Sequence, residues 1–352
     1  MGLPLAARVR TLPPNAMGHD ILSDVLRTVR LRGALFYQVN GGRTWAAEAP
    51  PAREIASAVM PGADHVMEYH VVTRGHCWAA IVGQPPVRLE TGDVVVFAHG
   101  DAHVISSAPE LPEVVSSSSL PERLGQQLPF TLHLDAAEAR DGTCPSREAT
   151  TALMCGFLGC DLRPFNPLIA TLPRLLHLRH SASQQWIAHF IGEAIEESQQ
   201  KRPGGEAMLE RLSEMMFVDA VRRHVESLPA DSLGWLAGVR DRFVGPALAL
   251  LHAAPAESWT VEELGQRVGL SRSALHERFA TMVGQAPMQY LASWRMQIAA
   301  GLLRSSNKPI ASIAQQVGYE TEAAFTKAFK RLVGTTPGAW RKGTVAAPLA
   351  IT

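Results

Sequence analysis

Hydrophobic patterning divides the chain into two textures. Up to residue 110, apolar residues come in short β-branched runs punctuated by Gly and Pro: GALFYQVN (33–40), EYHVVTRGHCWAAIVG (68–83) and VRLETGDVVVFAHGDAHVIS (87–106), with FTLHLD (130–135) beyond. Short strands separated by turn signals predict an antiparallel sandwich or barrel. Ser116 to Ser119, flanked by prolines, reads as a loop. From residue 164 the period becomes helical. In QQWIAHFIGEAIEES, Trp186, Phe190, Ile191, Ala194 and Ile195 fall on one stripe, with Glu193, Glu196 and Glu197 largely off it. KRPGG (201–205) ends that helix and a second follows, with Leu209, Leu212, Met216 and Ala220 on one face. The pair predicts an antiparallel hairpin whose apolar surface packs on the barrel, on a second subunit, or on both. Pro229 to Gly238 reads as a linker.

Residues 258–341 carry the sharpest pattern. Thr260 is placed to cap a helix, with Glu263 completing a capping box. VEELGQRVG ends at Gly269, suited to a left-handed turn, and Ser271 caps SRSALHERFATMVG. Leu275, Phe279 and Met282 form the buried stripe of that second helix, leaving Arg272, Ser273, His276 and Glu277 outside. These are the parts of a helix-turn-helix. The pattern then recurs. Ile310, Ile313, Ala314 and Val317 stripe a helix starting near Pro309, Gly318 turns the chain, and TEAAFTKAFKRLVG buries Phe325, Phe329 and Leu332. Thr321, Glu322, Ala323, Thr326, Lys327 and Lys330 are left outside. Gly269 and Gly318 define a repeat of 49 residues, and MQYLASWRMQIAAGLLRSS is long enough to be a rigid helix between the units.

Charge sharpens this division. The chain is neutral overall, but residues 1–240 hold 21 Lys and Arg against 26 Asp and Glu, whereas residues 241–343 hold 12 against 7. A basic module on an acidic body points to nucleic acid as the partner of that module alone. With 352 residues, 46% hydrophobic and 19% charged, the chain predicts two or more packed domains. No window approaches the ~18 apolar residues of a membrane span. The N-terminal MGLPLAARVRTLPPN lacks a signal-peptide core, and four cysteines are too few for a secreted disulfide framework. These features predict a cytoplasmic protein with no membrane partner.

The run from IASIAQQVGY through FTKAFKRLVGTTPGAWR resembles the DNA-binding signature of the AraC/XylS regulators, over both helix-turn-helix units, the connecting helix and the closing G-x-x-P-x-x-W-R. The resemblance implies two recognition helices in successive major grooves of promoter DNA. By position it makes Arg272, Ser273, His276, Glu277, Glu322, Ala323, Thr326 and Lys327 the base-reading candidates. Lys330, Arg331, Arg341 and Lys342 become phosphate contacts.

GDVVVFAHGDAHVIS resembles the second motif of cupin barrels, and GRTWAAEAP through YHVVTRGHCW resembles the N-terminal cupin domain of one branch of AraC-type regulators, over residues 17–180. Enzymatic cupins hold a metal with histidines and a carboxylate. Here His65, His70, His76, His99 and His103 are present, but the usual His-x-His is not. Strand alternation keeps the five from sharing one face. His70 and His76 share parity, as do His99 and His103, although Gly100-Asp101 interrupts the second pair. Three readings of the barrel stay open: a metal site, a small organic effector, and histidines bonded to backbone. Cys144, Cys155 and Cys160 cluster within 17 residues. They read as zinc ligands with a nearby His, as a redox sensor, or as small buried hydrophobes.

The expectation is therefore an α+β protein. A cupin-like sensing domain spans 1–180, a helical dimerisation and linker region 181–240, a double helix-turn-helix domain 241–343, and a tail 344–352. It acts as a sequence-specific transcription regulator and homodimer, not an enzyme, with RNA polymerase a partner if it activates. The rival is a metal-dependent cupin enzyme fused to a DNA-binding domain, and a third reading is a regulator with a ligand-free barrel.

Overall fold

A computed structural model describes residues 19–110, 130–134, 149–180, 192, 193, 196, 200 and 203–343. The Ser116–Ser119 loop, Cys144, the helical stripe of Trp186, Phe190 and Ile195, and the tail 344–352 lie outside the described residues. The chain forms two compact units, a helical one from residues 1–28, 163–168 and 229–352, and a sheet-rich one from 29–162 and 169–228. Helix α1 (Ile21–Thr28) is the first element of the helical unit.

The sheet-rich unit runs β1 (Arg32–Gly41), β2 (Ala46–Ala49), α2 (Ala52–Val59), β3 (His65–Arg74), β4 (His76–Ile81), β5 (Val87–Glu90), β6 (Val94–Phe97), β7 (His103–Ser106), β8 (Phe130–Leu134), β9 (Thr151–Cys160), β10 (Leu175–Leu178) and α3 (Gly205–Ser227). One sheet has the order β10-β6-β3-β9-β1-β8 and the other β2-β7-β4-β5. Pairing is antiparallel except between β1 and β8. Strand β3, HVMEYHVVTR, is buried along most of its length on both faces, with helix α2 packed against it and Tyr69 reaching α3. Alternation then separates its polar residues. His70 lines a cavity between the sheets, while Tyr69 points away and its hydroxyl meets Ser213 Oγ of α3 at 2.7 Å.

Helix α3 buries Leu209, Ser213, Met216, Phe217, Ala220 and Val221. A Cβ on Gly33 of β1 would stand 2.3 Å from the Glu210 carbonyl, so only glycine lets the helix settle on the strand. The large apolar side chains contribute roughly 1.5–3 kcal/mol each. The apolar face of α3 is thus taken up by its own sheet. Met208 and Met215 remain on the opposite side, 48% and 55% exposed.

The helical unit continues with α4 (Trp235–Arg240), α5 (Val244–Ala253), α6 (Val261–Val268), α7 (Arg272–Val283), α8 (Pro287–Ser305), α9 (Ile310–Gln316), α10 (Glu322–Val333) and α11 (Pro337–Arg341). The linker expected over 229–238 is therefore half helix. Trp235 is buried, and its indole N–H donates to the Tyr290 hydroxyl at 2.9 Å. Trp235, Leu264, Leu275, Phe279, Tyr290 and Trp294 are buried in the first half of the unit. Met296, Ala299, Ala300, Leu303, Ile313, Ala314, Val317, Phe325, Phe329 and Trp340 form the second core. Helix α8 supplies buried residues to both, over a length of roughly 28 Å at 1.5 Å per residue. Two segments from before residue 180 also pack here: the Gln297 side chain accepts from Phe165 N at 2.9 Å and donates to the Thr28 carbonyl at 3.4 Å.

Candidate functional site

The repeated helical pair is built by local chemistry. Thr260 Oγ1 accepts the Glu263 amide at 3.1 Å, while the Glu263 carboxylate turns to Arg267 instead of closing the expected box. Gly269 takes φ 80°, and Ser271 accepts the Ala274 amide at 3.2 Å to start α7. In the second unit Gly318 takes φ 85°, and Thr321 accepts the Ala324 amide at 3.2 Å to start α10. The glycines are 49 residues apart and the capping residues 50, so the second turn is one residue longer. Both helices contain 12 residues, which makes Arg272, Ser273, His276 and Glu277 equivalent to Glu322, Ala323, Thr326 and Lys327.

All eight face outward, with Thr326 half-buried and the rest exposed. Charge reverses between equivalent positions, Arg272 against Glu322 and Glu277 against Lys327. Leu275 and Phe279, like Phe325 and Phe329, anchor the opposite faces. Two expectations change here. Leu332 is 41% exposed, because it falls past the edge of the stripe in the last turn, and Met282 is half-buried. Arg341 is half-buried and donates to the Lys308 carbonyl at 2.6 Å, which fixes the approach to α9. Lys330, Arg331 and Lys342 stay exposed.

A second constellation lies in the sheet-rich unit. Strand β3 sends Glu68 and His70 inward, and the end of the β6–β7 turn sends in His103. All three are at most 3% exposed. His70 Nε2 stands 2.9 Å from His103 Nε2, and Glu68 oxygens lie 3.6 Å from His103 Nε2 and 4.0 Å from His70 Nε2. Three outer contacts fix these groups. Tyr37 donates its hydroxyl to Glu68 Oε1 at 2.5 Å, His103 Nδ1 donates to the Asp101 carbonyl at 2.9 Å, and His70 Nδ1 lies 2.9 Å from Cys155 Sγ. His103 Nε2 therefore carries a lone pair while the ring is neutral. Burial pushes Glu68 up to about 7 and His103 down to about 4. Burial likewise lowers His70, the nearby His103 adding to the effect, and raises the Cys155 thiol. Beside the cluster, Val39, Trp45, Ile105, Leu132 and Leu153 line an apolar cavity of about 50 Å³.

The structure thus unites His70, His103 and Cys155, and separates the rest. His76 follows the Gly75 turn into the other sheet and is exposed, so shared parity does not bring it to His70. His99 points into a different groove, with Nε2 at 3.0 Å from the Leu172 carbonyl, and His65 Nε2 meets the Ala98 carbonyl at 2.7 Å. Cys155 and Cys160 are five positions apart on β9, hence on opposite faces and roughly 16 Å apart. They cannot share a zinc ion. Sequence reasoning missed Glu68 and Tyr37. The signal for Glu68 was present, since a carboxylate two residues before His70 must share its face.

Comparison with known proteins follows this division. A family model described as Cupin matches residues 20–226, and one described as Helix-turn-helix domain matches residues 264–343. An AraC-like transcription regulator of Streptomyces lividans is 32% identical over 330 residues, covering 92% of this chain and 98% of that protein. The HTH-type transcriptional regulator AlkR of Acinetobacter baylyi is 29% identical over 277 residues, covering 78% of this chain and 87% of its own. The DNA-binding domain of AdpA, solved in complex with a target DNA, is 29% identical over 29% of this chain and 92% of that one, with a TM-score of 0.28.

Proposed function

We propose, from the premise that the chain belongs to the AraC-like transcription regulators, that it reads promoter DNA with α7 and α10 in two successive major grooves. The observation that carries this is the pair of equivalent, capped, polar-faced helices held by one buried helix, α8. Successive grooves on one face of DNA lie ~34 Å apart. A rigid spacer helix of roughly 28 Å that shares both cores suits such a reading.

In this reading Arg272 pairs with guanine, Glu277 and Glu322 accept from cytosine amines, and Ala323 meets a thymine methyl. Ser273, His276, Thr326 and Lys327 complete the two reading faces. Lys330 and Arg331 hold phosphates, which positions the protein without reading sequence. The sheet-rich unit receives the signal, as a small-molecule effector or an ion in its cavity. The regulator works in the cytoplasm as a homodimer, with RNA polymerase its partner where it activates. Its sheet-rich unit takes part in no catalytic step. The cluster at Glu68, His70 and His103 favours one rival, a metal-dependent enzyme fused to a DNA-binding unit. A turnover screen on the full chain with added divalent metal decides between them.

The direct test selects operators from random duplexes with the full chain, then measures binding by fluorescence anisotropy. Recovery of a motif with two blocks one helical turn apart supports the reading, and recovery of a single block overturns it.

A further inference from the structure

We infer that the Arg295 side chain sets the register between the two helical pairs, so that the chain accepts one spacing between its two DNA blocks and rejects spacings one base pair longer or shorter. This rests on the two-groove reading above. A shared helix fixes distance along its own axis. How far the second pair swings about that axis depends on contacts made beside the helix. Arg295 lies near the middle of α8, between Trp294 of the first core and Met296 of the second.

Its guanidinium reaches the loop that joins α5 to α6 in the first pair. Nε donates to the Pro255 carbonyl at 2.6 Å and Nη2 to the Glu257 carbonyl at 2.8 Å. That loop is itself held in the first pair, where the buried Trp259 donates its indole N–H to the Ala254 carbonyl at 2.9 Å. The other side of the guanidinium belongs to the second pair. Its carbon stands 5.8 Å from the centre of the Tyr319 ring, within cation–π range. Tyr319 follows Gly318 in the turn between α9 and α10, and its ring meets Phe325 of the second core edge-on, with centres 5.6 Å apart.

One half-buried side chain therefore touches both pairs. The main chains meet at the same place. A Cβ on Gly318 would stand 2.6 Å from the carbonyl oxygen of Ala256 and 2.8 Å from its Cα. Ala256 is the residue between the two that Arg295 holds. A planar guanidinium presents a fixed fork to two such carbonyls, whereas a lysine ammonium is a single point of charge. One inserted base pair carries the second block ~3.4 Å along the DNA and about 35° around it. Two reading helices clamped in one register cannot follow that move together.

The test uses the full chain and operators carrying the selected blocks at the selected spacing, or with one base pair added or removed between them. Fluorescence anisotropy should show the parent losing roughly 100-fold on either altered spacing, the scale of two mismatched base pairs. Arg295→Met keeps the length of the stem without the donors. It should bind the selected operator more weakly, lose less than about 10-fold on the altered spacings, and bind a single block as the parent does. Arg295→Lys should fall between. Tyr319→Leu, expected to relax the spacing in the same way, takes the place of Arg295→Met if circular dichroism shows that variant unfolded. Loss by one common factor on every operator, as in a protein that is merely less stable, overturns the inference. A second arm needs no DNA. Spin labels carried by unnatural amino acids at the exposed positions Thr281 and Leu332 report the distance between α7 and α10 by double electron–electron resonance. The parent should give one narrow distribution and the variant a broad one. An unchanged distribution overturns the role of Arg295 whatever the DNA result, whereas selection of a single block overturns the two-groove reading and leaves this arm to decide the clamp.

Discussion

Asp241→Ala should loosen α7 without touching any of the eight proposed base-reading residues. Asp241 follows α4, and its Oδ1 accepts the amides of Phe243 and Val244 at 3.0 and 2.8 Å, starting α5. The same carboxylate receives Arg278 of α7, from Nε at 3.0 Å and from Nη2 at 2.5 Å. One side chain therefore caps one helix and pins another. Loss of the cap costs about 1 kcal/mol. The ion pair adds less, about 0.2–1 kcal/mol, since the Arg278 side chain is 46% exposed and water screens it. The sum is about 1.5 kcal/mol. The pKa gives a ceiling: despite the cost of burial, bonds from Arg278 and the two amides hold Asp241 down to about 2, against 3.8 ordinarily. That difference corresponds to at most ~2.4 kcal/mol before screening. Because the folded value is the depressed one, the contribution is complete above pH 4 and fades as pH falls from about 4 to about 2. Asp241→Asn keeps an acceptor for the amides and should lose only about 0.5–1 kcal/mol. Urea titration of the full chain, with hydrogen exchange at the amides of α5 and α7, measures each variant. Asp241→Ala within 0.5 kcal/mol of the parent at pH 7, or no milder effect from Asp241→Asn, would refute the reasoning.

Replacing Arg272 or Lys327 with Ala should weaken operator binding by ~1–3 kcal/mol where each reads a base, and equal loss on random DNA in the same anisotropy assay reassigns it to phosphate. Gly318→Ala should destabilise the second helical pair more than Gly269→Ala does the first. Both glycines have positive φ, worth ~1–2 kcal/mol, but only at Gly318 would the added Cβ meet the Ala256 carbonyl, at 2.6 Å; thermal unfolding ranks the two. Trp340→Ala should remove ~3–5 kcal/mol from the second core and abolish contacts by α10 while leaving those of α7, as footprinting would show.

The DNA-binding half was legible because its signals are local. A hydroxyl three residues before an amide, a glycine able to take positive φ, and a helical stripe each act within one or two turns. Ser271, Thr321, Gly269 and Gly318 were readable one at a time. Arg341 was not, since its partner carbonyl lies 33 residues away. The barrel cluster shows the same limit more strongly. His70 and His103 stand out by type, but Tyr37 and Cys155 join them only through the pairing of β1, β9 and β3, which no local window contains. The parity rule failed for His76 and His99 because Gly75 and Gly100, both at positive φ, reset the direction of the chain. The hairpin stripe was correctly amphipathic in α3, yet its destination, the β1 surface opened by Gly33, depends on a contact 180 residues away.

The reversal of charge between α7 and α10 gives the molecule a front and a back. Two reading helices with the same outward residues would ask for the same block of bases twice. Here the leading position is Arg272 on one helix and Glu322 on the other, the trailing position Glu277 on one and Lys327 on the other. In the proposed reading, exchanging the two blocks in the DNA would set Glu322 against the base meant for Arg272. In that reading the order of the two blocks in the DNA would set which way the chain lies, and with it the surface offered to whatever binds beside the site.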